Sequence, residues 1–92
     1  MAIFVSMEVA PVDWSKFKAA VDWTRAFPAN GRLSSQIFRA ETDPTRILVV
    51  ERWLSHEAMQ TFRDQVGDEF NRRAGTDALE WKDTTWTLAE TA

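Results

Sequence analysis

The segment Ile47-Leu48-Val49-Val50 constrains the fold most, because four consecutive apolar residues leave neither side of an extended strand polar. Side chains alternate between the two faces of a strand, so a strand with one face in water should alternate apolar and polar residues. Helices packed on a sheet from one side cover only one face. We therefore expect the other face to pack against the sheet of a second copy of the chain. The alternative is a central strand of a monomer that tolerates an exposed apolar stripe.

Three more segments have the two-residue period of β-strands, and together with the apolar segment they predict four strands. Residues 2–9 and 32–41 alternate in this way, and residues 78–88 carry the last such pattern. The apolar segment extends over residues 46–54. Because residues 42–45 read Thr-Asp-Pro-Thr, which suits a tight turn, we predict that the second and third strands form a hairpin.

Two segments between the strands have the apolar spacing of helices. Asp13 is a suitable N-cap for a helix that runs to Phe27, where a proline follows. Ser55 is a suitable N-cap for a second helix, which we predict to end near Gly67. Residues 68–74 are then expected to form a separate short helical turn.

The order strand-helix-strand-strand-helix-strand predicts an α+β fold of the ferredoxin-like βαββαβ type over residues 1–92, as one domain. In this arrangement the sheet is antiparallel, the first and third strands are central, and both helices lie on one face. The register of the last strand stays open. Trp81 and Trp86 are an odd number of residues apart, so they face opposite sides unless a bulge at residues 83–85 intervenes.

Composition excludes several classes of protein. The absence of cysteine excludes disulfides, thiolate catalysis and cysteine-ligated metals. A net charge of -3 without a basic stripe argues against nucleic-acid binding. No apolar run approaches the ~20 residues of a membrane span, and the first residues lack the features of a signal peptide, so we expect a cytoplasmic protein without a membrane partner. No histidine cluster with metal spacing and no phosphate-binding glycine loop is present, so we expect neither a metal nor a cofactor.

Several short motifs fall together between residues 30 and 60. They are a turn glycine at Gly31, the hairpin pair Asp43-Pro44, the strand end Glu51-Arg52-Trp53, and Ser55-His56-Glu57-Ala58 at the start of a helix. This segment resembles the antibiotic biosynthesis monooxygenase family. The resemblance implies a dimeric α+β barrel, in which two ferredoxin-like sheets pack together and each subunit holds a small-molecule pocket between its sheet and helices.

The family's activities include cofactor-free oxygenation of polyphenolic polyketides or quinols, haem degradation, isomerisation and cyclisation. Many relatives carry a histidine nine residues after the motif tryptophan, where this chain has Phe62. Haem-degrading relatives carry a pocket asparagine late in strand one, where this chain has Met7, and a later histidine that is absent here, so haem degradation is not expected. The resemblance implies a cofactor-independent monooxygenase-like enzyme acting on a small aromatic or polyketide-type molecule. The alternatives are a non-catalytic dimeric binding module and a cyclase- or isomerase-like member of the same superfamily.

Candidate site residues follow from the expected layers. Pocket-lining residues between helices and sheet would be Met7, Phe17, Trp23, Met59 and Phe62, an aromatic-rich set that suits a flat hydrophobic ligand. The same residues fit equally well as ordinary core.

Two polar candidates remain. His56 is the only histidine, and in the first turn of a helix the positive end of the helix dipole would disfavour protonation of its imidazole, which suits a general base. It would otherwise be an exposed residue without a role. Glu51 and Arg39 are expected to form a structural ion pair across the hairpin, since charges on a buried sheet need partners. The alternative is that an arginine on these strands, Arg39 or Arg52, polarises a substrate oxygen.

Overall fold

The computed structural model describes residues 2–92. The elements are β1 (Ile3–Val9), α1 (Trp14–Thr24), β2 (Arg32–Arg39), β3 (Ile47–Trp53), α2 (His56–Ala74) and β4 (Lys82–Trp86). The strands form one antiparallel sheet in the order β2-β3-β1-β4, and the helices pack on one face of it. The predicted ferredoxin-like α+β fold, with the first and third strands at the centre, is confirmed.

The two faces of the sheet differ in burial. The face toward the helices carries the buried residues Ile3, Val5, Val9, Ile47, Val49, Glu51 and Trp53. The opposite face, called the outer face below, carries the half-buried or exposed apolar residues Phe4, Phe38, Leu48, Val50 and Trp86. Strand β3 is therefore apolar on both faces over residues 47–50, as the sequence predicts.

Helix α1 begins where the sequence predicts and ends earlier. The Asp13 side chain caps it by accepting a hydrogen bond from the Lys16 backbone N–H at 3.2 Å. The helix ends at Thr24, three residues before the predicted Phe27. The following residues make tighter bonds over three residues, such as the Phe27 backbone N–H to the Thr24 carbonyl at 3.0 Å, so the chain leaves the α-helical path before it reaches the proline.

Helix α2 is longer than predicted. The prediction that it ends near Gly67 is wrong, because the helix continues through Gly67 to Ala74 without interruption. The left-handed C-cap is instead Gly75, at φ 73°. A stripe that continues past Gly67, with Phe70 half-buried and Ala74 buried, supplies the packing that holds these residues helical.

Strand β4 is shorter than the predicted residues 78–88, and its register is regular. It pairs with β1 from Phe4 opposite Trp86 to Glu8 opposite Lys82. Trp81 and Trp86 therefore lie on opposite sides of the sheet. Trp81 packs toward α1, whereas the Trp86 indole N–H donates to the Ser6 hydroxyl at 3.0 Å on the outer face.

Two groups of buried residues form the core between helices and sheet. One group surrounds Phe17 and the other surrounds Trp53, and both side chains are fully buried. Met7, on the central strand β1, packs against both groups. The boundary between the two groups is the position of the cavity described below.

Two glycines give opposite stability predictions. Gly31 has φ 90°, and a Cβ there would lie 2.8 Å from the Ala58 Cβ, so Gly31→Ala is expected to destabilise the protein by about 2 kcal/mol or more. Gly67 is helical, and a Cβ there meets no heavy atom within 4 Å among residues 2–92, so Gly67→Ala should stabilise it by up to about 1 kcal/mol. Urea unfolding of both variants at one protein concentration measures the difference. Equal effects of the two alanines would contradict this description of the backbone.

Candidate ligand-binding cavity

A partly open cavity of about 330 Å³ lies between α2 and the sheet, where the two core groups meet. Its apolar wall is made by Met7, Phe17, Val21, Ile37, Val49, Phe62, Val66, Phe70 and Trp81. Its polar lining is made by Thr24, Arg32, Ser35, Glu51, Arg63, Asn71 and Asp83. This size is at the lower end of the range for small-molecule pockets, and an apolar wall with few polar groups is typical of them.

The Glu51 carboxylate forms one polar end of the cavity. Because Glu51 and Trp53 are two residues apart on β3, both point toward the helices. The Trp53 indole N–H donates to Glu51 Oε1 at 3.1 Å, and the Ser35 hydroxyl donates to Oε2 at 3.1 Å. Arg32 adds its guanidinium at 3.4 Å from Oε2. Three donors thus compensate the charge of this buried carboxylate, and both of its oxygens already accept hydrogen bonds.

A β-bulge places Arg32 beside that carboxylate. The register of β2 against β3 shifts between Arg32 and Ser34, so that Leu33 is an extra residue in the strand. Without the extra residue, Arg32 would share the face of Ser34, which is the outer face. The bulge turns the guanidinium inward, where it lies 5.2 Å from the centre of the Phe62 ring and reaches Glu51.

The predicted ion pair between Arg39 and Glu51 is wrong. In the observed register Glu51 faces Ser35, and Arg39 faces Ile47. Four residues of extended strand separate Ser35 from Arg39, about 13 Å, which an arginine side chain does not bridge across the hairpin. The Arg39 guanidinium instead donates to the Pro44 carbonyl at 3.2 Å and lies 4.9 Å from the centre of the Trp14 ring.

Arg63 brings a second positive charge to the cavity from α2. Its Nη2 donates to the Met7 thioether sulfur at 2.9 Å, and its Nη1 lies 3.5 Å from an Asp83 carboxylate oxygen on β4. The Arg63 side chain is 30% exposed. A thioether is a weak acceptor and the contact with Asp83 is long, so most of the donor capacity of this guanidinium is weakly used.

Asn71 forms the other polar end on the same helix. Its Oδ1 accepts hydrogen bonds from the Thr76 hydroxyl at 2.7 Å and from the Trp81 indole N–H at 3.1 Å. An indole N–H can only donate, so the oxygen of the amide must be the atom that faces Trp81. The orientation of the amide is therefore fixed, and its NH₂ group points away from these two partners.

The structure brings together only some of the predicted pocket residues. Met7, Phe17 and Phe62 line the cavity. Trp23 does not; it packs against Phe27 and beneath the Arg73 guanidinium. Met59 is buried in the core group around Trp53 and does not line the cavity either.

The predicted candidate base lies elsewhere. His56 is exposed at the first residue of α2 and is not among the residues that line the cavity. The position nine residues after the motif tryptophan, Phe62, does reach the cavity and supplies an apolar ring there. The described part of the chain therefore brings carboxylates, an amide and two arginines to the cavity, but no imidazole.

Sequence reasoning missed Arg63, Asn71 and Asp83. A signal for the first two was present: they lie eight residues apart, with Gly67 halfway, so in one uninterrupted helix all three share a face. The prediction of a helix break at Gly67 concealed it.

Residues 2–92 have neither a membrane-spanning helix nor a cluster of metal ligands. No helix in this range is long and apolar enough to cross a membrane. The same residues hold no group of three or more histidine, aspartate or glutamate side chains arranged to bind a metal ion.

Comparison with known proteins identifies the fold. No protein-family model and no curated protein sequence matches the chain. Among solved structures, SnoaB from Streptomyces nogalater, a cofactor-independent oxygenase, is similar with a TM-score of 0.70 at 21% identity, over 98% of this chain and 94% of that one. A Caulobacter crescentus protein, provisionally named an antibiotic biosynthesis monooxygenase, is similar with a TM-score of 0.78 at 18% identity, over 97% and 91% of the two chains. A Nitrosomonas europaea protein with the same provisional name has a TM-score of 0.71 at 19% identity, over 98% and 94%.

The chain thus has the fold of the antibiotic biosynthesis monooxygenases over nearly its whole length. The resemblance seen in residues 30–60 is confirmed at this level. At these identities the likeness establishes the fold, and the activity has to be argued from the cavity.

Proposed function

We propose that the chain belongs to the antibiotic biosynthesis monooxygenase family and acts as a cofactor-independent monooxygenase on a small aromatic or polyketide-type molecule bound in the cavity. The observation that carries this proposal is the cavity itself, an apolar and aromatic space with polar groups at its ends. A cofactor-independent oxygenase of known structure has the same fold. Fold alone does not choose a chemistry, so the proposal depends on the residues that line the space.

The reaction class requires an electron-rich substrate, because the substrate supplies the electrons. A phenol with a free ring C–H reacts with O₂ to give a quinone and water. One oxygen atom becomes the new carbonyl oxygen, and the other leaves as water with two hydrogens from the substrate. The phenol loses four electrons and O₂ gains them. The protein has to exclude water, hold the ring and accept the phenolic proton.

Asp83 is the group that we assign to proton transfer. Of the two carboxylates that line the cavity, Glu51 is held by three donors, whereas the only contact of Asp83 with a donor side chain in residues 2–92 is the long one to Arg63. Asp83 therefore has oxygen lone pairs free to meet the proton of a substrate. His56 is outside the cavity, so we do not assign it this role.

Oxygen uptake with a panel of anthrones and quinols tests the proposal. We expect uptake above the rate without protein, with one O₂ consumed per substrate and no hydrogen peroxide released. Asp83→Asn should lower kcat about 100-fold, the lower end of the contribution of general acid–base catalysis. His56→Ala is the matched control and should turn over like the wild type. Equal loss in both variants would contradict the assignment of Asp83.

A non-catalytic binding module is the second candidate function. The observation that favours it is Phe62, an apolar residue at the position where many relatives carry a histidine, within a cavity that no imidazole reaches in the described chain. Tight binding of a panel member without oxygen uptake would support sequestration instead of oxygenation.

We also propose that the functional unit is a homodimer in the cytoplasm, formed by packing of two outer faces. The support is the apolar character of that face, where Phe38 is 48% and Trp86 is 55% exposed. Large exposed apolar patches on a sheet mark interaction surfaces. The symmetric packing of two such sheets closes each copy's exposed face with the same residues of the other.

A further inference from the structure

We propose that the cavity binds its aromatic ligand as an oxyanion along a row of three residues on α2. Arg63 holds the ionised oxygen, the ring lies across Gly67, and the Asn71 amide donates to a second oxygen at the far end. This inference rests on the proposed function only for the aromatic nature of the ligand. It assigns a binding mode for the oxyanion, which forms when Asp83 accepts the proton of a phenol or which an already ionised ligand brings with it, and this mode holds whether the ligand is oxidised or merely retained.

The row follows from helix geometry. Residues four apart lie on the same face of an α-helix, so residues 63, 67 and 71 form one line on α2. With a rise of 1.5 Å per residue, the outer two Cα atoms are about 12 Å apart along the axis. All three residues line the cavity. Two polar side chains thus flank a gap that has no side chain.

Nothing in residues 2–92 requires a glycine in this gap. Its backbone is helical, and the space above it is open, since a Cβ would meet nothing within 4 Å. Glycine inside a helix is less favourable than alanine. The lower helix propensity of Gly67 occurs where the cavity reaches the backbone of α2. The missing side chain leaves space there for the ring of a ligand.

Arg63 is suited to an anionic oxygen because its present partners are weak. The guanidinium carries five N–H donors, and the structure gives it a thioether at 2.9 Å and one carboxylate oxygen at 3.5 Å. An arginine beside an oxyanion makes short, charge-assisted and often paired hydrogen bonds. A phenolate or enolate that replaces the Met7 contact would therefore gain more than it displaces.

Asn71 supplies a donor of fixed direction at the other end. Its oxygen is held by Thr76 and Trp81, so the amide cannot rotate to present the oxygen to the cavity without losing both bonds. Among the described residues, the hydrogen bonds of this side chain involve only Oδ1. The NH₂ group is thus available to a carbonyl or hydroxyl oxygen of the ligand.

The walls between these ends select a flat ring. Aromatic and aliphatic side chains from helices and sheet face the gap, including Phe17, Val49, Phe62, Val66, Phe70 and Trp81. Together with the two ends, they define the ligand class as an aromatic or enolic acid that is ionised at one oxygen and carries an acceptor oxygen at the opposite edge.

Calorimetric titration with two matched probes tests this binding mode. Lawsone, a hydroxynaphthoquinone that is ionised at neutral pH, has an oxyanion and carbonyl acceptors on one flat ring system. Its methyl ether has the same rings and cannot ionise. We expect the wild type to bind lawsone at least tenfold more tightly than the ether, and we expect this preference to disappear as lawsone is protonated at low pH.

Three variants separate the parts of the row. Arg63→Gln keeps the length and polarity of the side chain without its charge, and should weaken lawsone binding about 10- to 100-fold while the ether changes less than threefold. Asn71→Asp keeps the acceptor for Thr76 and Trp81 but replaces the donor with a negatively charged oxygen, and should weaken lawsone binding about tenfold or more. Gly67→Leu should abolish binding of both probes.

Gly67→Ala keeps the test valid if the leucine variant does not fold. It is expected to weaken the binding of both probes and to raise Tm by up to about 8 °C at a fixed protein concentration. A purely structural glycine would not combine weaker binding with a higher Tm. Gln65→Leu, on an exposed part of the same helix turn, is the matched control and should leave both probes unaffected.

The outcomes distinguish this inference from the proposed function. The oxyanion site is overturned if the wild type does not bind lawsone, or if it binds lawsone and the ether with equal affinity. A preference that survives in Arg63→Gln overturns the assignment of Arg63. Binding as expected without oxygen uptake by any substrate leaves this inference standing and rejects the monooxygenase. Equal rates of oxygen uptake by the wild type and by the variants at positions 63, 67 and 71 would support the monooxygenase and reject this inference.

Discussion

Replacing Trp53 with alanine is expected to lower the free energy of unfolding by about 3 to 5 kcal/mol, the range for removal of a large buried aromatic side chain. Trp53 is fully buried at the centre of one core group, and its ring centre lies 5.7 Å from that of Phe62. The substitution also removes the N–H that donates to Glu51, so a buried carboxylate loses one of its three donors. Urea unfolding at one fixed protein concentration measures the change, because association would make the apparent stability depend on concentration.

Two control variants divide the effect of Trp53→Ala. Trp53→Phe retains much of the ring and loses the indole N–H, so it should cost less than the alanine and report mainly on the bond to Glu51. Leu54→Ala changes the next residue, whose side chain is exposed, and should cost less than about 0.5 kcal/mol. A loss at Trp53 no greater than that at Leu54 would show that this core group does not hold the sheet to α2.

Glu51 and Trp53 show why part of the fold was predictable. Strand β3 places Glu51 and Trp53 on one face because side chains alternate, and the motif Glu-x-Trp is then a hydrogen-bonded unit at 3.1 Å. Element order, the hairpin turn and the capping residues of both helices are likewise local signals. Each depends on neighbours within four residues along the chain, which is the range over which sequence patterns are informative.

The partner of Glu51 was not predictable in this way. It depends on an extra residue in β2, Leu33, which turns Arg32 inward. A bulge changes which residues face each other while leaving the composition of the strand unchanged. A prediction from simple pairing across the hairpin therefore selected Arg39. This residue is on the correct face of the sheet but lies about 13 Å along β2 from Ser35, the residue that faces Glu51.

The cavity was partly predictable for a related reason. The sequence placed Met7, Phe17 and Phe62 correctly, since each lies on a face that must point between the layers. It placed Trp23 and Met59 there as well, and these pack into the core or against a neighbouring helix. A side chain that faces the helices is buried whatever lies opposite it. Whether it also lines a cavity depends on whether a side chain of the other layer packs against it, and this is known only once both layers are placed.

Helix α2 illustrates how one wrong boundary conceals a site. Glycine is a common helix end, and the sequence offers Gly67 and Gly75 eight residues apart. Burial of Phe70 and Ala74 carries the helix through the first to the second. Only in the continuous helix do Arg63 and Asn71 lie on one face, where both line the cavity.

The outer face of the sheet leads to the second large prediction. Across the register, Phe38 and Leu48 are opposite each other, as are Phe4 and Trp86, and Val50 on the central strand β3 lies between the two pairs. Charged groups lie among these residues: Glu8, paired with Arg46 at 2.6 Å, is opposite Leu48, and Arg52 is opposite Phe4 with its guanidinium 5.6 Å from the centre of that ring. Aromatic residues and arginine are enriched in protein interfaces, and this apolar band contains both.

Val50→Lys is therefore expected to convert the proposed dimer into a monomer. In a twofold symmetric contact, one substitution introduces two ammonium groups near the centre of the interface, where neither has a carboxylate opposite it in the described register. Burying an unpaired charge costs several kcal/mol, so the dissociation constant should rise at least 100-fold. Sedimentation equilibrium over a range of protein concentrations measures it. Gln65→Lys adds the same charge on an exposed part of α2 and should leave the dimer intact. A wild type that sediments as a monomer at high concentration would exclude this packing, and it would leave the apolar band on β3 as an exposed stripe of a monomer.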